Sequence, residues 1–277
     1  MTIPKRIFQT FAHKSFEPQF QTFIDDWKVY NDDFEYFLYD DKDCEHFIKN
    51  NFSSDVYNTY IRIIPPALKS DLWRYCVLYK YGGFYADMDT VCLSSLNCFV
   101  NPDIEFVTPI DLNLGELEYH NLYNAFIGSV PKHPILQNCI NKIVNMVKER
   151  HMPPENLMNF AGPGCLGMST NEYLNRPSKT PMVDIDNRPV EIKMVTTPPY
   201  QFAPKPLTGN YSKVSLIQFE QFSQYVKNLN GKKILQNKDG APFLNLCYDF
   251  ECSKIKDYIS WGDFGFNDVP FEKIVKS

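Results

Sequence analysis

The opening third of the chain alternates between two hydrophobic periodicities, one typical of strands and one typical of helices. Residues 3–8 and 34–39 carry aromatic and β-branched side chains, which predicts two strands. Residues 16–30 place apolar side chains three and four positions apart, which predicts a helix between those strands. Short helices are expected over 44–50 and 55–63. The order strand, helix, strand, helix predicts an α/β fold with a largely parallel sheet.

A longer helix is expected to begin at the proline pair 65–66, because proline is tolerated in the first turn of a helix. Its apolar positions continue to Tyr79, and Gly82 and Gly83 then break the helical pattern. Residues 84–86 are expected to form a short strand that ends immediately before an acidic pair. The pattern therefore places this acidic pair at a strand end, directly after a long helix.

The second half begins with strands predicted over 105–109 and 125–130 and an amphipathic helix over 134–150. After Arg150 prolines cluster and long helical patterns end, so we expect loops and short elements packed on the core sheet. No change of composition marks a linker between two folding units. We therefore expect one domain over residues 1–277.

Composition and charge narrow the possible partners. The 277 residues are 44% hydrophobic and carry a net charge of −5, which is typical of a globular protein and unlike a nucleic-acid-binding surface. No stretch approaches the roughly twenty apolar residues of a membrane span, and no apolar signal region opens the chain. The eight cysteines include no Cys-x-x-Cys pair, which favours free thiols in a reducing compartment. We expect no nucleic-acid partner, no membrane span in this chain, and a cytoplasmic location.

Candidate chemistry concentrates between residues 71 and 89. Asp71 and Arg74 lie three positions apart on the predicted helix, so they share a face and can form an ion pair. Asp87 and Asp89 lie two positions apart at a strand end, where their carboxylates can hold Mg²⁺ or Mn²⁺. An Asp-x-Asp pair alone is most often a solvated turn. An Asp/Arg pair beside it suits a sugar diphosphate, because arginine gives bidentate contacts to phosphate oxygens.

Several segments in order along the chain carry a family resemblance. The runs 67–75 and 78–91 resemble the Asp-x-Asp sugar-binding region of family 32 glycosyltransferases. Further segments resemble other parts of that family: residues 3–11, 124–135, 160–164 and the pair Ser260 and Trp261. Because these matches span most of the chain in the expected order, they are more specific than the Asp-x-Asp pair alone.

The resemblance implies a GT-A fold, which is a Rossmann-like, mostly parallel sheet flanked by helices, with an irregular, proline-rich C-terminal region packed on it. Residues 1–110 would form the nucleotide-sugar and metal half, and residues 111–277 the acceptor side and closing region. The implied donor is preferably a UDP-sugar and alternatively GDP-mannose, and the acceptor is a hydroxyl of a glycan, a protein or another compound. The implied reaction uses Mn²⁺ or Mg²⁺ and retains the anomeric configuration. The leaving diphosphate helps to deprotonate the acceptor, so no dedicated base is expected.

The resemblance also assigns roles to residues. The expected catalytic residues are Asp71 and Arg74 on the donor sugar, Asp87 on ribose or sugar, and Asp89 on the metal. The expected substrate-binding residues are Gln9, Thr10, Gly82, Gly83, Tyr85, Asn124, Gly162, Ser260 and Trp261. Many relatives carry a metal-binding histidine shortly before the Ser-Trp pair, but this chain has none there. The expected metal ligands are therefore Asp89 and Asp87, with Asp257, Ser260 or Asp263 as substitutes for the histidine.

Two alternatives are left open by the sequence. Residues 87–91 also match the signature of haloacid-dehalogenase-like phosphatases, in which Asp87 would be the nucleophile. Those enzymes carry the nucleophile after a long apolar strand, whereas a glycine pair and three residues precede Asp87 here. The second alternative is a relative that binds nucleotide-sugars without turnover. The intact Asp71, Arg74, Asp87 and Asp89 argue against it, while the missing histidine leaves it open.

Overall fold

A central β-sheet flanked by helices forms the core of the protein. The computed structural model describes residues 1–15, 18–111, 120–149, 157–184, 205–206, 209–211, 213–220, 225–227 and 230–237. The strands are β1 (Arg6–Thr10), β2 (Glu35–Tyr39), β3 (Gly83–Ala86), β4 (Thr90–Cys92), β5 (Phe106–Ile110), β6 (Phe126–Ser129), β7 (Val183–Asp184), β8 (Lys205–Pro206), β9 (Gly209–Tyr211), β10 (Val214–Glu220), β11 (Tyr225–Lys227) and β12 (Lys233–Asn237). The helices are α1 (Pro18–Tyr30), α2 (Asp41–Asn51), α3 (Ser54–Arg62), α4 (Pro66–Tyr81), α5 (Pro134–Lys148) and α6 (Pro163–Tyr173).

The sheet is mixed, with the strand order β2-β1-β3-β6-β5-β10-β11-β12-β4 and with β9 also paired to β10. Strand β1 runs parallel to β2 and β3, and β5 runs parallel to β10. The remaining pairs among the described strands are antiparallel. The α/β fold is confirmed, but the prediction of a mostly parallel sheet is wrong. Parallel neighbours need a crossover such as α1 between β1 and β2, whereas the short connection between β9 and β10 permits only an antiparallel pair.

The elements predicted for the first 150 residues are confirmed to within a few residues, although β4 is an additional strand. Strands from both sides of residue 110 share the central sheet. The six cysteines in the described segments are free thiols, and five of them are buried. Among the described helices, none combines the length and the apolar character needed to cross a membrane.

Helix α6, of eleven residues, lies in the proline-rich region in which we expect loops and short elements. Glycine lowers helix propensity, and α6 contains Gly164 and Gly167. Tertiary packing explains both glycines. A Cβ at Gly164 would lie 2.0 Å from Oδ1 of Asn159, and one at Gly167 would lie 1.8 Å from the carbonyl oxygen of His120. Close approach of α6 to these two segments therefore outweighs the loss of propensity.

Helix α4 lies in the interior of the protein. Every residue from Asp71 to Leu78 is buried, so this helix has no extended solvent-facing side. Its Trp73 packs against the rings of Tyr39 and Tyr85, with centroid distances of 5.0 and 6.3 Å. Charged side chains in such an environment require partners, because an unpaired buried charge is costly. The buried charged residues of α4 therefore need partners within the protein.

Candidate active site

A pair of glycines sets the direction in which the chain enters the candidate site. Gly82 and Gly83 have φ angles of 63° and 110°, in the region that favours glycine. A Cβ at Gly82 would lie 2.7 Å from Cδ of Pro131, and one at Gly83 would lie 2.7 Å from the carbonyl oxygen of Arg6. The glycines therefore let α4 end in a sharp turn while β3 packs closely against β1. Their expected contact with substrate stays a prediction.

The backbone of Asp87 is held by hydrogen bonds from three residues. Its amide donates to the carbonyl oxygen of Ala125 at 2.9 Å. Its carbonyl oxygen accepts from Nε2 of Gln9 at 3.0 Å and from Oγ1 of Thr90 at 2.5 Å. The buried Gln9 is itself oriented by the Tyr36 hydroxyl, which donates to Oε1 at 2.6 Å. These bonds fix the turn that carries the Asp-x-Asp pair, and the expected contact of Gln9 with the nucleotide stays a prediction.

Arg74 is the centre of a buried charge network. Its Nη2 lies 3.2 Å from Oδ1 of Asp71 and 3.2 Å from Oδ1 of Asp87. Its Nη1 donates to the carbonyl oxygen of Asn124 at 2.8 Å, and the guanidinium lies over the Tyr85 ring at 4.4 Å from the centroid. Only 6% of the Arg74 side chain is exposed. The guanidinium is therefore fixed in position from several directions before any ligand binds.

Asn124 and Tyr85 hold the two carboxylates of this network. Nδ2 of Asn124 donates to Oδ1 of Asp71 at 2.8 Å, and the Tyr85 hydroxyl donates to Oδ1 of Asp87 at 2.5 Å. The family resemblance in the sequence predicts that both residues bind substrate. In the structure they orient the carboxylates, and their direct contact with substrate stays a prediction.

Burial and neighbouring charges shift the pKa values of Asp71 and Arg74 in this network. Burial raises the pKa of Asp71 to about 6, against the opposing effects of Arg74 and of the hydrogen bond from Asn124, while Asp87 adds to the rise. Burial disfavours the charged form of Arg74, but the negative charges of Asp87 and Asp71 raise its pKa overall. The guanidinium therefore remains charged, while the Asp71 carboxyl titrates close to neutral pH.

Asp87 and Asp89 fit the chemistry of a hard divalent cation. Both are half-buried and supply carboxylate oxygens, the ligand type that Mn²⁺ and Mg²⁺ prefer. Oδ1 of Asp87 is shared between Tyr85 and Arg74, and the resemblance assigns direct ligation of the metal to Asp89. Within the described segments no three acidic, histidine or cysteine side chains converge as a complete ligand set. Substrate phosphates and water would therefore fill part of the coordination shell, as they commonly do for Mg²⁺.

The first residues of α6 lie beside the network. The Tyr75 hydroxyl donates to the carbonyl oxygen of Ala161 at 2.8 Å and lies 3.3 Å from that of Gly162. It also accepts from Nδ2 of Asn124 at 3.4 Å. A Cβ built on Gly162 would lie 3.6 Å from Oδ2 of Asp71. Tyr75 therefore fixes the entry to α6 next to the Asp71 carboxylate.

The other expected site residues fall into two groups. Thr10 ends β1, where its hydroxyl donates to the carbonyl oxygen of Tyr39 and lies 3.1 Å from Sγ of Cys44, so it packs against β2 and α2. The remaining expected residues lie outside the described segments, and their assignments stay predictions. They are Asp257, Ser260, Trp261 and Asp263.

Sequence reasoning missed three residues that orient the site. Tyr75 is one of the apolar positions of α4 and lies one turn after Asp71. Ser70 accepts a hydrogen bond from Arg74 Nη2 at 3.2 Å, a position one turn before the arginine that spacing alone could have suggested. Thr90 bonds to the Asp87 carbonyl, a contact for which the sequence contains no periodic signal.

Comparison with known proteins indicates a glycosyltransferase. Residues 17–105 match the family described as "Glycosyltransferase sugar-binding region containing DXD motif". Over 214 residues the chain is 28% identical to an initiation-specific alpha-1,6-mannosyltransferase of Candida albicans, covering 65% of this chain and 55% of that protein. It is 25% identical over 195 residues to the enzyme of that name in Schizosaccharomyces pombe, covering 62% of this chain and 49% of that protein. The chain thus spans about half the length of these curated relatives.

Among solved structures, the PaToxG glycosyltransferase is similar with a TM-score of 0.48 and 18% identity, covering 63% of this chain and 70% of that chain. A further relative by sequence is the uncharacterized glycosyltransferase L373 of Acanthamoeba polyphaga mimivirus. It is 28% identical over 179 residues, which cover 64% of this chain and 68% of that protein. The match to the sugar-binding region, together with the mannosyltransferase relatives, supports assignment of this chain to glycosyltransferase family 32.

Proposed function

We propose that this protein is a metal-dependent, retaining glycosyltransferase of GT-A type that takes its sugar from a nucleotide-sugar. The observation that carries the proposal is the buried Arg74, held 3.2 Å from both Asp71 and Asp87. This network lies two residues from Asp89, so a cationic side chain, sugar-binding carboxylates and a metal-binding carboxylate occur together. A nucleotide-sugar presents hydroxyls and a diphosphate side by side, and it is the ligand class that uses all three.

The contacts of Asp71 and Asp87 support a separate role for each carboxylate. Asp71 accepts a hydrogen bond from a hydroxyl of the donor sugar, because Arg74 and Asn124 both hold its Oδ1 in place. Asp87 contacts the ribose or the sugar, oriented by the Tyr85 hydroxyl. Such orientation matters because reacting groups held in a productive geometry gain much of their rate from the avoided entropy cost.

Asp89 holds the cation, with Asp87 as the second carboxylate. Bound Mn²⁺ or Mg²⁺ supplies Lewis-acid stabilisation of the charge that develops on the leaving diphosphate. The backbone bonds from Gln9 and Thr90 to the Asp87 carbonyl keep the turn that bears Asp89 in a fixed conformation. The two carboxylates are therefore held in position for the cation that the diphosphate also binds.

The reaction balances without a dedicated protein base. The bond between the anomeric carbon and the diphosphate oxygen breaks, and a bond from the acceptor oxygen to the same face of that carbon forms. The proton of the acceptor hydroxyl passes to the leaving diphosphate. The charged Arg74 is placed to favour the negative charge that gathers on this side of the sugar.

The donor is a UDP-sugar or GDP-mannose, and the acceptor is a hydroxyl of a glycan or a protein. The resemblance favours UDP-sugars, whereas the names of the related yeast enzymes point to mannose as the transferred sugar. Both donor classes therefore belong in the first screen.

The test is release of UDP or GDP from UDP-glucose, UDP-galactose, UDP-N-acetylglucosamine and GDP-mannose, measured with Mn²⁺, with Mg²⁺ and with chelator. We expect one donor to be consumed only when metal is present, and we expect Asp89→Asn to abolish that turnover with an unchanged melting temperature. The matched control is Asp32→Asn at an exposed aspartate, which should keep full activity. Turnover that survives Asp89→Asn would remove the central assignment, and donor binding without turnover would favour the binding-only alternative.

A further inference from the structure

The entry to α6 carries three glycines, and two of them have a packing reason. A Cβ at Gly164 or Gly167 would collide with Asn159 or His120 at 2.0 or 1.8 Å. These two positions are therefore glycine because another segment of the protein occupies the space.

Gly162 differs from the other two glycines. Its φ of −83° lies outside the left-handed region that favours glycine. A Cβ there would meet Cα and the carbonyl oxygen of Met158 at 3.5 Å and Oδ2 of Asp71 at 3.6 Å, which are ordinary van der Waals distances. Packing within the protein therefore leaves room for a methyl group at this position, and the room adjoins the Asp71 carboxylate.

The space beside Gly162 has the chemistry of a hydroxyl site. Oδ1 of Asp71 is already engaged by Arg74 and Asn124, while Oδ2 is the oxygen that faces Gly162. Gly162 is also the N-cap of α6, and no side chain caps the first turn of that helix. A hydroxyl can donate to Oδ2 and accept from a backbone N–H of the helix start, which satisfies both partners.

Resting on the proposed function, we propose that Gly162 is a specificity-determining residue, which keeps the space in front of Asp71 Oδ2 open for one unsubstituted hydroxyl of the hexose on the donor. A bulkier group on that carbon, such as an acetamido group, is excluded because the backbone of Met158 and the carboxylate of Asp71 border the space. A sugar that lacks the hydroxyl leaves a buried carboxylate oxygen without its partner. The space beside Gly162 therefore selects against sugars that carry a bulkier group and against sugars that lack the hydroxyl.

Tyr75 holds the backbone that precedes Gly162 in position beside this space. Its hydroxyl bonds to the carbonyl oxygen of Ala161 at 2.8 Å, immediately before Gly162. Tyr75 is fully buried on α4, one turn from Asp71. The same helix therefore holds both the Asp71 carboxylate and, through Tyr75, the backbone next to Gly162. Tyr75 is a positioning residue in this arrangement.

The main experiment replaces Gly162 with alanine and compares steady-state kinetics on the donor that the wild type uses. One misplaced methyl group in a recognition pocket changes kcat/KM by about 10- to 200-fold, and we expect Gly162→Ala to lose kcat/KM within that range, chiefly through a higher KM. Affinity for the nucleoside diphosphate alone, measured by calorimetry with Mn²⁺, should stay within about twofold, because that product has no sugar. Asp32→Asn, at an exposed aspartate, is the control and should leave both quantities unchanged.

A second measurement needs no variant. Monodeoxy analogues of the accepted donor are given to the wild-type enzyme, and we expect one position to cost far more kcat/KM than the others. With Gly162→Ala, removal of that same hydroxyl should cost little more, because the methyl group already blocks the contact.

The outcomes separate the two proposals. If the wild type consumes a donor but Gly162→Ala has unchanged KM and kcat, or loses nucleoside diphosphate affinity equally, the role of Gly162 is wrong while the proposed function stands. Equal tolerance of every deoxy donor by the wild type would overturn it as well. If the wild type consumes no nucleotide-sugar, the proposed function itself fails.

Discussion

The raised pKa of Asp71 makes a prediction about stability that is independent of any substrate. Asp71→Asn replaces the carboxylate with a neutral group of nearly equal size. The amide oxygen can still accept the 2.8 Å hydrogen bond from Asn124, and Arg74 keeps Asp87 as its ionic partner. The substitution therefore removes a buried charge while it preserves most of the local contacts.

The magnitude follows from the pKa difference between the folded and unfolded states. The pKa of Asp71 rises from its ordinary value of 3.8 to about 6, mainly because burial disfavours the charged form. At about 1.4 kcal/mol per pH unit, this difference amounts to about 3 kcal/mol. Because the folded pKa is the higher one, the stabilisation is fully present below pH 4 and is lost as the pH rises to about 6. Above that pH the wild-type protein bears the full cost of the buried charge.

The assay is urea unfolding of the wild type and of Asp71→Asn at several pH values between 3 and 7.5. The free energy of unfolding of the wild type, relative to the variant, should fall by about 3 kcal/mol across this range, since other titrating groups cancel in the comparison. Asp71→Asn should also have lost turnover, because it is the proposed ligand of the sugar hydroxyl. A difference that is constant with pH, or that rises with pH, would refute the reasoning, because it would mean that the attraction of Arg74 equals or exceeds the cost of burial.

Three further substitutions test other parts of the site. Tyr85→Phe removes the hydroxyl that donates to Asp87, and kcat should fall at least about tenfold in steady-state assays with the fold retained, since a hydrogen bond to a charged group contributes about 1.5–3 kcal/mol. Arg74→Lys keeps the charge but loses the planar fork, so calorimetry should find donor affinity weakened by about tenfold or more; unchanged affinity would argue against a role in donor binding. Gly83→Ala forces a Cβ to within 2.7 Å of the Arg6 carbonyl oxygen at a φ of 110°, and urea unfolding should reveal a loss of more than about 2 kcal/mol. A fully stable Gly83→Ala protein would contradict the packing argument.

The sequence was sufficient to predict the local elements and one side of the charge network. Helical spacing placed Asp71 and Arg74 on one face, and the structure confirms their ion pair at 3.2 Å. The contact between Arg74 and Asp87 could not be derived from spacing, because it depends on how closely β3 packs behind α4. Periodicity describes a single element, whereas this contact is a property of two elements and the turn between them.

The contributions of Asn124 and α6 show a second limit. Asn124 bonds to Arg74 through its backbone carbonyl, a group that every residue possesses and that no sequence motif can reveal. The helix α6 is hidden because its glycines lower its propensity, although they permit the close packing that holds it in place. Tertiary contacts decided both cases, and they are the information that a single sequence lacks.

The burial of residues 71–78 in α4 has a consequence for how the site forms during folding. Its network joins Gln9, Arg74, Asn124 and Gly162, residues far apart along the chain, so no short segment can form it alone. A fragment limited to residues 17–105 would lack three of these four. Amide protons of the α4 segment 71–78 should therefore exchange with solvent only when the whole domain opens. A donor that binds this network acts on the global folding equilibrium, so its occupancy can be measured as protection against hydrogen exchange throughout the core.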